Sequence, residues 1–496
     1  MSKRLLLGLL TLAFLFVAGT ASAQGICPLN GTLNNKLVCL IPQVYGPVGL
    51  GSGTGAPLLA DGHEAHFDND FIAEFAPITE AVGIQVSQLP VASPSAGITF
   101  TYDPALKTFA PTTDESLGPI LGERAGTIGR NKLYEAFSFQ YFNFTSIDGQ
   151  DMSKLPAIFQ HQAFPPPFSS PFITSCPNQT GLTGPLANNP CFVRDFIKTT
   201  NSIDLKVQQY TAYATYGVTN RLDLSVAVPF LNVQMKVTSN ATIVPNSFAP
   251  PSPNFPGGVF HQFDPSVVPG CPPPGTPCLN GAFSDNGNAS GIGDIVVRAK
   301  YELYKGERLG FAQGVDVRIP TGDPKNFLGS GAIGAKPFAV ISYSARFSPH
   351  AEVGYEVNGK SVLAGNFVGA TATNTEAALP NRFVYTVGAD ASINNHLTAA
   401  FDIVGERLLG APRLISSPYT DLGHCSDINC DVLTPGTAHP NLSVATNVNY
   451  NETNASVGLK WRPVGRLVLS GNVFIKLDDG GLRSTIVPLG GISYSF

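Results

Sequence analysis

The sequence predicts an all-β protein: a transmembrane, antiparallel, up-and-down β-barrel of about 12 strands with an N-terminal plug or lid segment. Three observations carry this. The chain closes on an alternating segment, with Ile492, Tyr494 and Phe496 on one face and Gly491, Ser493 and Ser495 on the other. It opens on an export signal. Between the two ends, short and long links alternate along a series of two-faced strands.

The signal is read from three parts. Lys3 and Arg4 are basic, Leu5 to Ala18 is an apolar run too short to span a bilayer comfortably, and Ala21-Ser22-Ala23 is a cleavage site. Residues 1–23 are thus expected to be a signal peptide, with the mature chain starting at Gln24. No Cys follows the cleavage site, which argues against a lipid anchor. Beyond it no uninterrupted apolar segment reaches spanning length. Barrel spans hide in alternation and need no such segment. The terminal Phe496 on an alternating strand resembles the assembly signal of bacterial outer-membrane barrels, so the expected location is the bacterial outer membrane.

Composition agrees. Of 496 residues only 13% are charged and 10% are aromatic, with 51 Gly and 41 Pro. That is too apolar for disorder and too rich in Gly and Pro for a helical protein. A net charge of −5 offers no basic field for nucleic acid. The eight cysteines form close sequential pairs, Cys27–Cys39, Cys176–Cys191, Cys271–Cys278 and Cys425–Cys430, each in its own Gly/Pro-rich segment. In an exported chain this reads as local disulfides. The Cys271/Cys278 spacing does not suit zinc.

From about residue 200 the period is two. Leu222, Leu224, Val226, Val228 and Phe230 alternate with Asp223, Ser225, Ala227 and Pro229. The same pattern recurs at 294–303, 311–319, 351–358, 383–390 and 454–462. A soluble sandwich would bury the apolar face, whereas a barrel in lipid turns it outward. Tyr and Trp near strand ends, as in interfacial girdles, favour the barrel.

Short links occur at 218–220, 305–308, 348–349, 394–395 and 463–465; long ones cover about 147–202, 239–291, 321–333, 359–380 and 408–452. With Phe496 at the periplasmic end, every short link falls in the periplasm and every long one outside. The first strand starts near Leu133. A further hairpin at 97–102 and 107–113 would raise the count to 14. The expected organisation is therefore 1–23 signal, 24–130 periplasmic plug or lid, whose hairpin either stays in the plug or joins the barrel, and 131–496 barrel. Phe67, Phe71, Ile72 and Phe75 have helical spacing, with Asp68 and Asp70 as caps.

Two motifs stand out. Gly291-Ile292-Gly293-Asp294-Ile295 is followed by Arg298-Ala299-Lys300-Tyr301, and Arg318-Ile319-Pro320-Thr321-Gly322-Asp323 comes next. Both resemble signatures of the outer-membrane family named for phenol degradation by the meta pathway, which is similar to the long-chain fatty-acid and aromatic-hydrocarbon transporters. The resemblance covers roughly 200–496. It implies a monomeric barrel that admits hydrophobic small molecules.

The polar faces place Asp294, Arg298, Lys300, Glu302, Asp316, Arg318, Glu352, Glu356, Arg382, Asp390, Asp402, Lys460 and Arg462 toward the lumen. The mixture of signs reads as hydrogen-bonded ladders that brace the wall, with direct solute contact as the second reading. The turn at Lys305–Arg308 sets Asp294 roughly opposite Arg318. His63 and His66 lack a third metal ligand and read as a polar helix start, so no metal and no cofactor is expected. There is no G-x-S-x-G and no H-E-x-x-H, so an enzyme is not expected.

The function expected is passive uptake of small hydrophobic or aromatic molecules. The alternative is a surface-exposed structural or adhesin-type barrel with disulfide-braced loops. Phe159, Phe164, Phe168 and Phe172 in one loop, and Phe248, Phe255, Phe260 and Phe263 in another, could build an external apolar pocket or merely pack the loops. Phe164-Pro165-Pro166-Pro167-Phe168 could bind a partner as polyproline II and is expected rather to stiffen the first of them. Expected partners are outer-membrane lipid and lipopolysaccharide, the barrel-assembly machinery through Phe496, and the solute, with no nucleic acid.

Overall fold

The computed structural model describes residues 27, 34–45, 70–86, 100–103, 108–111, 116–160, 194–247, 256–259, 261–264, 268–365, 376–426 and 433–496. The expected signal segment 1–23 lies outside them, as do His63 and His66. Twelve antiparallel strands close a barrel. They are β1 (Leu133–Ile147), β2 (Phe196–Gly217), β3 (Leu222–Val244), β4 in two segments (Asn280–Ile292 and Ile295–Lys305), β5 (Leu309–Ile319) and β6 (Gly334–Tyr343). The circuit continues through β7 (Phe347–Asn358), β8 (Asn381–Asn394), β9 (Leu397–Ser416), β10 (Leu442–Trp461), β11 (Leu467–Lys476) and β12 (Ile486–Ser495). Neighbours pair in chain order. Closure comes from β12 on β1, with Ile492 opposite Phe137, while β1 also pairs β2.

The upstream hairpin does not join the barrel. Phe100–Asp103 pairs only with Thr108–Pro111, as a separate two-stranded sheet. Its strands are too short to cross hydrocarbon, which takes about 9–11 residues, so the count stays at twelve.

Alternation turns the apolar side outward. On β5, Phe311, Val315, Val317 and Ile319 are exposed while Ala312, Asp316 and Arg318 are buried. This exposed band is what lipid covers, and the protein is an outer-membrane barrel. Exposed Tyr216, Tyr301, Tyr304, Tyr343, Trp461 and Tyr494 ring the end with the short turns, at the periplasmic interface. Among the described residues no helix is long and apolar enough to cross a membrane.

Several strands run far past the lipid, and there the polarity of both faces inverts. On β3 the outward residues Leu224, Val226, Val228 and Phe230 give way to Asn232, Gln234, Lys236, Thr238, Asn240 and Thr242. The inward Asp223, Ser225 and Ala227 give way to Leu231, Val233, Met235 and Val237, all buried. On β2 the change falls at the same level, since Tyr210 pairs with Phe230 and Gln209 with Leu231. Below it the outside is oil and the inside polar; above it the outside is water and the inside a hydrophobic core. The expected loops 147–202, 239–291 and 408–452 are therefore shorter than read, because strand continues to Gln160, Val244 and Ser416. An inverted pattern has the same period as an ordinary one, but it is loop-like in composition on the outer face.

The upper core is filled from the N-terminal part. Helix α1 (Asp70–Val86) lies between the extended walls. From Ile78 to Val86 it is buried on every side, with Glu80 half-buried; such a helix belongs inside a structure rather than on it. Gln85 Nε2 donates to Tyr450 Oη (3.0 Å) and to Glu452 Oε1 (2.6 Å), and its Oε1 accepts from the Leu482 backbone N–H. Leu37–Tyr45 joins the same core, pinned by the Cys27–Cys39 disulfide. Cys271–Cys278 is also bonded. Cys425 is in a disulfide whose expected partner Cys430 lies outside the described residues, as do Cys176 and Cys191.

Two outcomes test this architecture. Val297→Lys, on the lipid face of β4, should destabilise by about 2–4 kcal/mol, whereas Gln234→Lys, above the inversion on β3, should stay within about 0.5 kcal/mol. Guanidinium unfolding in lipid vesicles reads both, and equal effects would refute the assignment. Peptide mapping without reduction should return 27–39, 176–191, 271–278 and 425–430. Each bond contributes about 2–3 kcal/mol because each loop is short.

Candidate functional site

Strand register builds the lumen wall. Inward residues of neighbouring strands stand opposite one another, so charges of opposite sign meet. Asp316 pairs with Arg298 across β4 and β5. The Arg298 guanidinium donates twice to that carboxylate, at 2.6 and 2.8 Å, and once to Glu123 at 2.5 Å. Lys336 lies 3.1 Å from Asp316 and 3.7 Å from Glu352, continuing the row onto β6 and β7. Higher up, Arg318 lies 3.3 Å from Glu356, and Arg382 bridges Glu356 and Glu406 at 2.6 and 2.7 Å. Asp294 is diagonal to Arg318 at 3.8 Å rather than opposite it, because the turn pairs Gly310 with Lys305 and so sets Arg318 against Val296.

Residues 116–130 meet the lower wall around most of its circumference. Lys300 Nζ donates to Glu123 Oε1 (2.8 Å) and to the Arg124 and Gly126 carbonyls. Arg124 and Ser116 both bond Asp390, and Lys460 Nζ donates to the Leu117 carbonyl. The Ile128 and Ala125 N–H groups donate to Asp223 and Ser342. His350 sits between Asp402 (2.7 Å) and Asp390 (3.5 Å). Gly122 passes so close to the His350 ring that a Cβ would collide with it. All these wall groups lie near the periplasmic ends of their strands.

Asp294, Lys300, Glu302, Asp316, Arg318, Glu352, Glu356, Asp390, Asp402 and Lys460 are buried, and Arg298 and Arg382 nearly so. Arg462 instead lies in the β10–β11 turn, where it donates to the Asn395 carbonyl. Sequence reasoning missed Lys336, because Pro337 obscured the alternation of β6. It also missed Glu406 and Glu452, which lie at or near the segment 408–452 read as loop, and Arg483, which lies in a stretch assigned to no strand. Glu123 and Arg124 carried no signal, since only the fold brings them to Arg298 and Asp390.

The two sequence motifs meet at one place. Thr321 Oγ1 donates to the Gly293 carbonyl (2.6 Å) and accepts from the Ile295 N–H. Asp294 accepts from the Gly322 N–H, the Ser330 N–H and Ser330 Oγ. They thereby fold loop 320–333 inward, where Phe327 and Leu328 are buried in the upper core. Phe327 adopts φ 56, a left-handed conformation that costs free energy in a non-glycine residue and that the surrounding bonds sustain.

A cavity of about 270 Å³ remains between these fillings. Leu121 lies below, Val86 and Leu328 above. One wall is the charged set of β4 to β9; the other carries Phe142, Phe144, Pro229, Leu231, Phe474 and Val487. Of the loop phenylalanines, Phe159 packs edge-on to Tyr45 and Phe263 to Phe283, so these two serve as packing. The remaining six, and the Phe164–Phe168 segment, lie outside the described residues.

Residues 195–399 match the family described as the putative MetA-pathway of phenol degradation, the family that the two motifs resemble. No curated protein matches the chain. Among solved structures, an outer membrane channel from Pseudomonas putida F1 is 11% identical; the match covers 75% of this chain and 98% of that one, with a TM-score of 0.37. The Ralstonia pickettii toluene transporter TbuX is 10% identical, covering 76% and 93%, with a TM-score of 0.24. A Pseudomonas aeruginosa FadL homologue is 10% identical, covering 73% and 88%, with a TM-score of 0.25. The fold rests on the strand pairing.

Removing one partner of a buried pair strands the other, so Arg298→Ala should cost about 3–5 kcal/mol in the same unfolding assay. A loss below 1 kcal/mol would mean the ladder is solvated. Glu80 gives a pH signature. Burial pushes its carboxyl up to about 7 from the ordinary 4.5. The folded state keeps a proton that the unfolded chain releases, so stability falls as pH rises from about 4.5 to about 7 and then levels. Glu80→Gln should gain about 1–3 kcal/mol at pH 8 and nothing at pH 4. A gain independent of pH would assign the effect to something other than the proton.

Proposed function

We propose that the protein is a monomeric outer-membrane channel for passive entry of small hydrophobic or aromatic molecules, with its N-terminal residues as a stopper in the lumen. The observation that carries this reading is the cavity with an aromatic and aliphatic wall, enclosed within a closed barrel. Apolar solutes cross the polar lipopolysaccharide surface slowly, and an apolar site inside a barrel offers a route past it. The family match over 195–399 agrees in kind. No energy source is evident, so movement runs down a gradient.

Residues 116–130 are held by polar bonds rather than by a large apolar seal, which suits a segment that must give way. Glu123 is its main anchor, through Arg298 and Lys300. Glu123→Gln, which leaves Arg298 its bond to Asp316, should raise single-channel conductance in planar bilayers, and deletion of 24–130 should raise it further. Unchanged conductance in both would remove the stopper from the reading.

The rival, an adhesin-type barrel, is favoured by one observation: tall extracellular walls with a disulfide at Cys271–Cys278. Uptake of labelled toluene should be faster in cells carrying the protein than in cells without it. Equal uptake, together with loop-dependent attachment to surfaces, would sink transport and establish the rival.

A further inference from the structure

We propose that the basic residues on the periplasmic turns form a docking ring for the phosphate headgroups of anionic phospholipids in the inner leaflet of the outer membrane.

The chain as a whole is acidic, with a net charge of −5. Its short turns are not. Arg221 lies in the β2–β3 turn, Lys305 and Arg308 at the β4–β5 turn, Arg346 in the β6–β7 turn, and Arg462 and Arg466 in the β10–β11 turn. All but the half-buried Arg462 are exposed. The exposed acidic groups among the described residues at this level are Glu135, Glu307 and the carboxylate of Phe496. The surplus here is therefore positive, against the sign of the whole chain.

The way these cations are held sets them apart from those of the lumen. Arg298, Arg318 and Arg382 each lie against carboxylates. Arg308 instead donates to Tyr343 Oη (3.3 Å), Arg346 to the Ser392 and Ile393 carbonyls (3.1 and 3.2 Å), and Arg462 to the Asn395 carbonyl. A phenol and backbone carbonyls fix a guanidinium in place without compensating its charge. The same bonds close the ring. The β8–β9 turn has no arginine of its own, yet Arg346 reaches it from one side and Arg462 from the other.

Depth selects the partner. Each of these turns sets a cation just beyond an exposed aromatic residue of the girdle: Arg221 after Tyr216, Lys305 after Tyr304, Arg346 after Tyr343 and Arg462 after Trp461. Such girdles sit at headgroup level, so charges just beyond them stand beside lipid phosphates. Phe347 adjoins Arg346 and Val464 flanks Arg466, at 63% and 69% exposed. A lipid surface accommodates the apolar side chain and the cation together, which a soluble polyanion does not. Basic side chains at an anionic lipid surface are attracted to it over about a Debye length.

Trp461 is the single tryptophan of the chain, and it faces outward beside Arg462, so its fluorescence reads the lipid at the ring. The full-length protein is placed in nanodiscs of phosphatidylglycerol and phosphatidylcholine in equal parts, with one or the other lipid brominated. Quenching of Trp461 should report phosphatidylglycerol enriched by at least about threefold at low salt, with the preference fading as salt is raised. Arg308→Gln, Arg346→Gln and Arg466→Gln together should bring it close to parity. A reporter moved to the extracellular edge of the lipid band, by Trp461→Phe with Phe230→Trp, should show no preference. Folding of each variant is checked by the shift in gel migration on heating. If the triple variant does not fold, the salt dependence and the moved reporter decide. Equal quenching by the two lipids, an equal preference at both edges of the band, or a preference that a folded triple variant keeps would overturn the proposal. Binding of polyglutamate in phosphatidylcholine nanodiscs, combined with equal quenching, would overturn it in favour of an acidic protein partner.

Discussion

Within hydrocarbon no water is present to take up a backbone N–H or carbonyl, so a sheet that enters a membrane must have no edge. Here the pairing of β12 with β1 meets that condition. Everything else follows from it. Twelve strands give one ring of outward side chains, which must be apolar, and one ring of inward side chains, which need not be. Closure also brings Phe496 beside the start of the first strand, where its N–H donates to the Leu133 carbonyl. The last residue of the chain completes the ladder begun by the first barrel residue.

A ring of this size leaves an interior to be filled. Below the level of the outer bilayer surface it is filled with paired charges and with backbone from 116–130. Above that level it is filled with hydrocarbon from α1, Leu37–Tyr45 and loop 320–333. Each filling suits its wall: the inward carboxylates, lysines and arginines receive polar backbone and charged partners, and the inward valines and leucines of β2 and β3 receive a core. The two sequence motifs belong to this filling. Asp294 reads as a lumen charge in one dimension, but in space it is the anchor that turns a loop inward.

The sequence made the barrel legible because lipid imposes a strict rule on one residue in two, and because turn lengths differ between the two sides of a membrane. Leu224, Val226, Val228 and Phe230 obey that rule without exception. It made the upper walls illegible for a related reason. Asn240 and Thr242 face water from a strand, and a polar stretch that runs on into Gly and Pro reads as loop whatever its backbone does. The candidate lumen residues came from alternation alone. Their partners Glu123, Arg124 and Arg483 obey no local pattern, because long-range packing chose them. Lys336 was hidden by Pro337, a residue at odds with strand interiors in general.

The level at which polarity inverts on β2 and β3 works as a built-in draught mark. Tyr216 marks the lower waterline of β2, and the change from Phe230 to Asn232 marks the upper one on β3. A thicker bilayer would submerge the amides of Asn232 and Gln234, and a thinner one would strand Leu224 and Val226 in water. Accommodation by tilt costs a fraction of a kcal/mol per Å, and a barrel with tall one-sided walls tilts those walls as well. The chain thus carries a measure of the membrane it was fitted to, and its vertical position is fixed by the same strands that hold its interior.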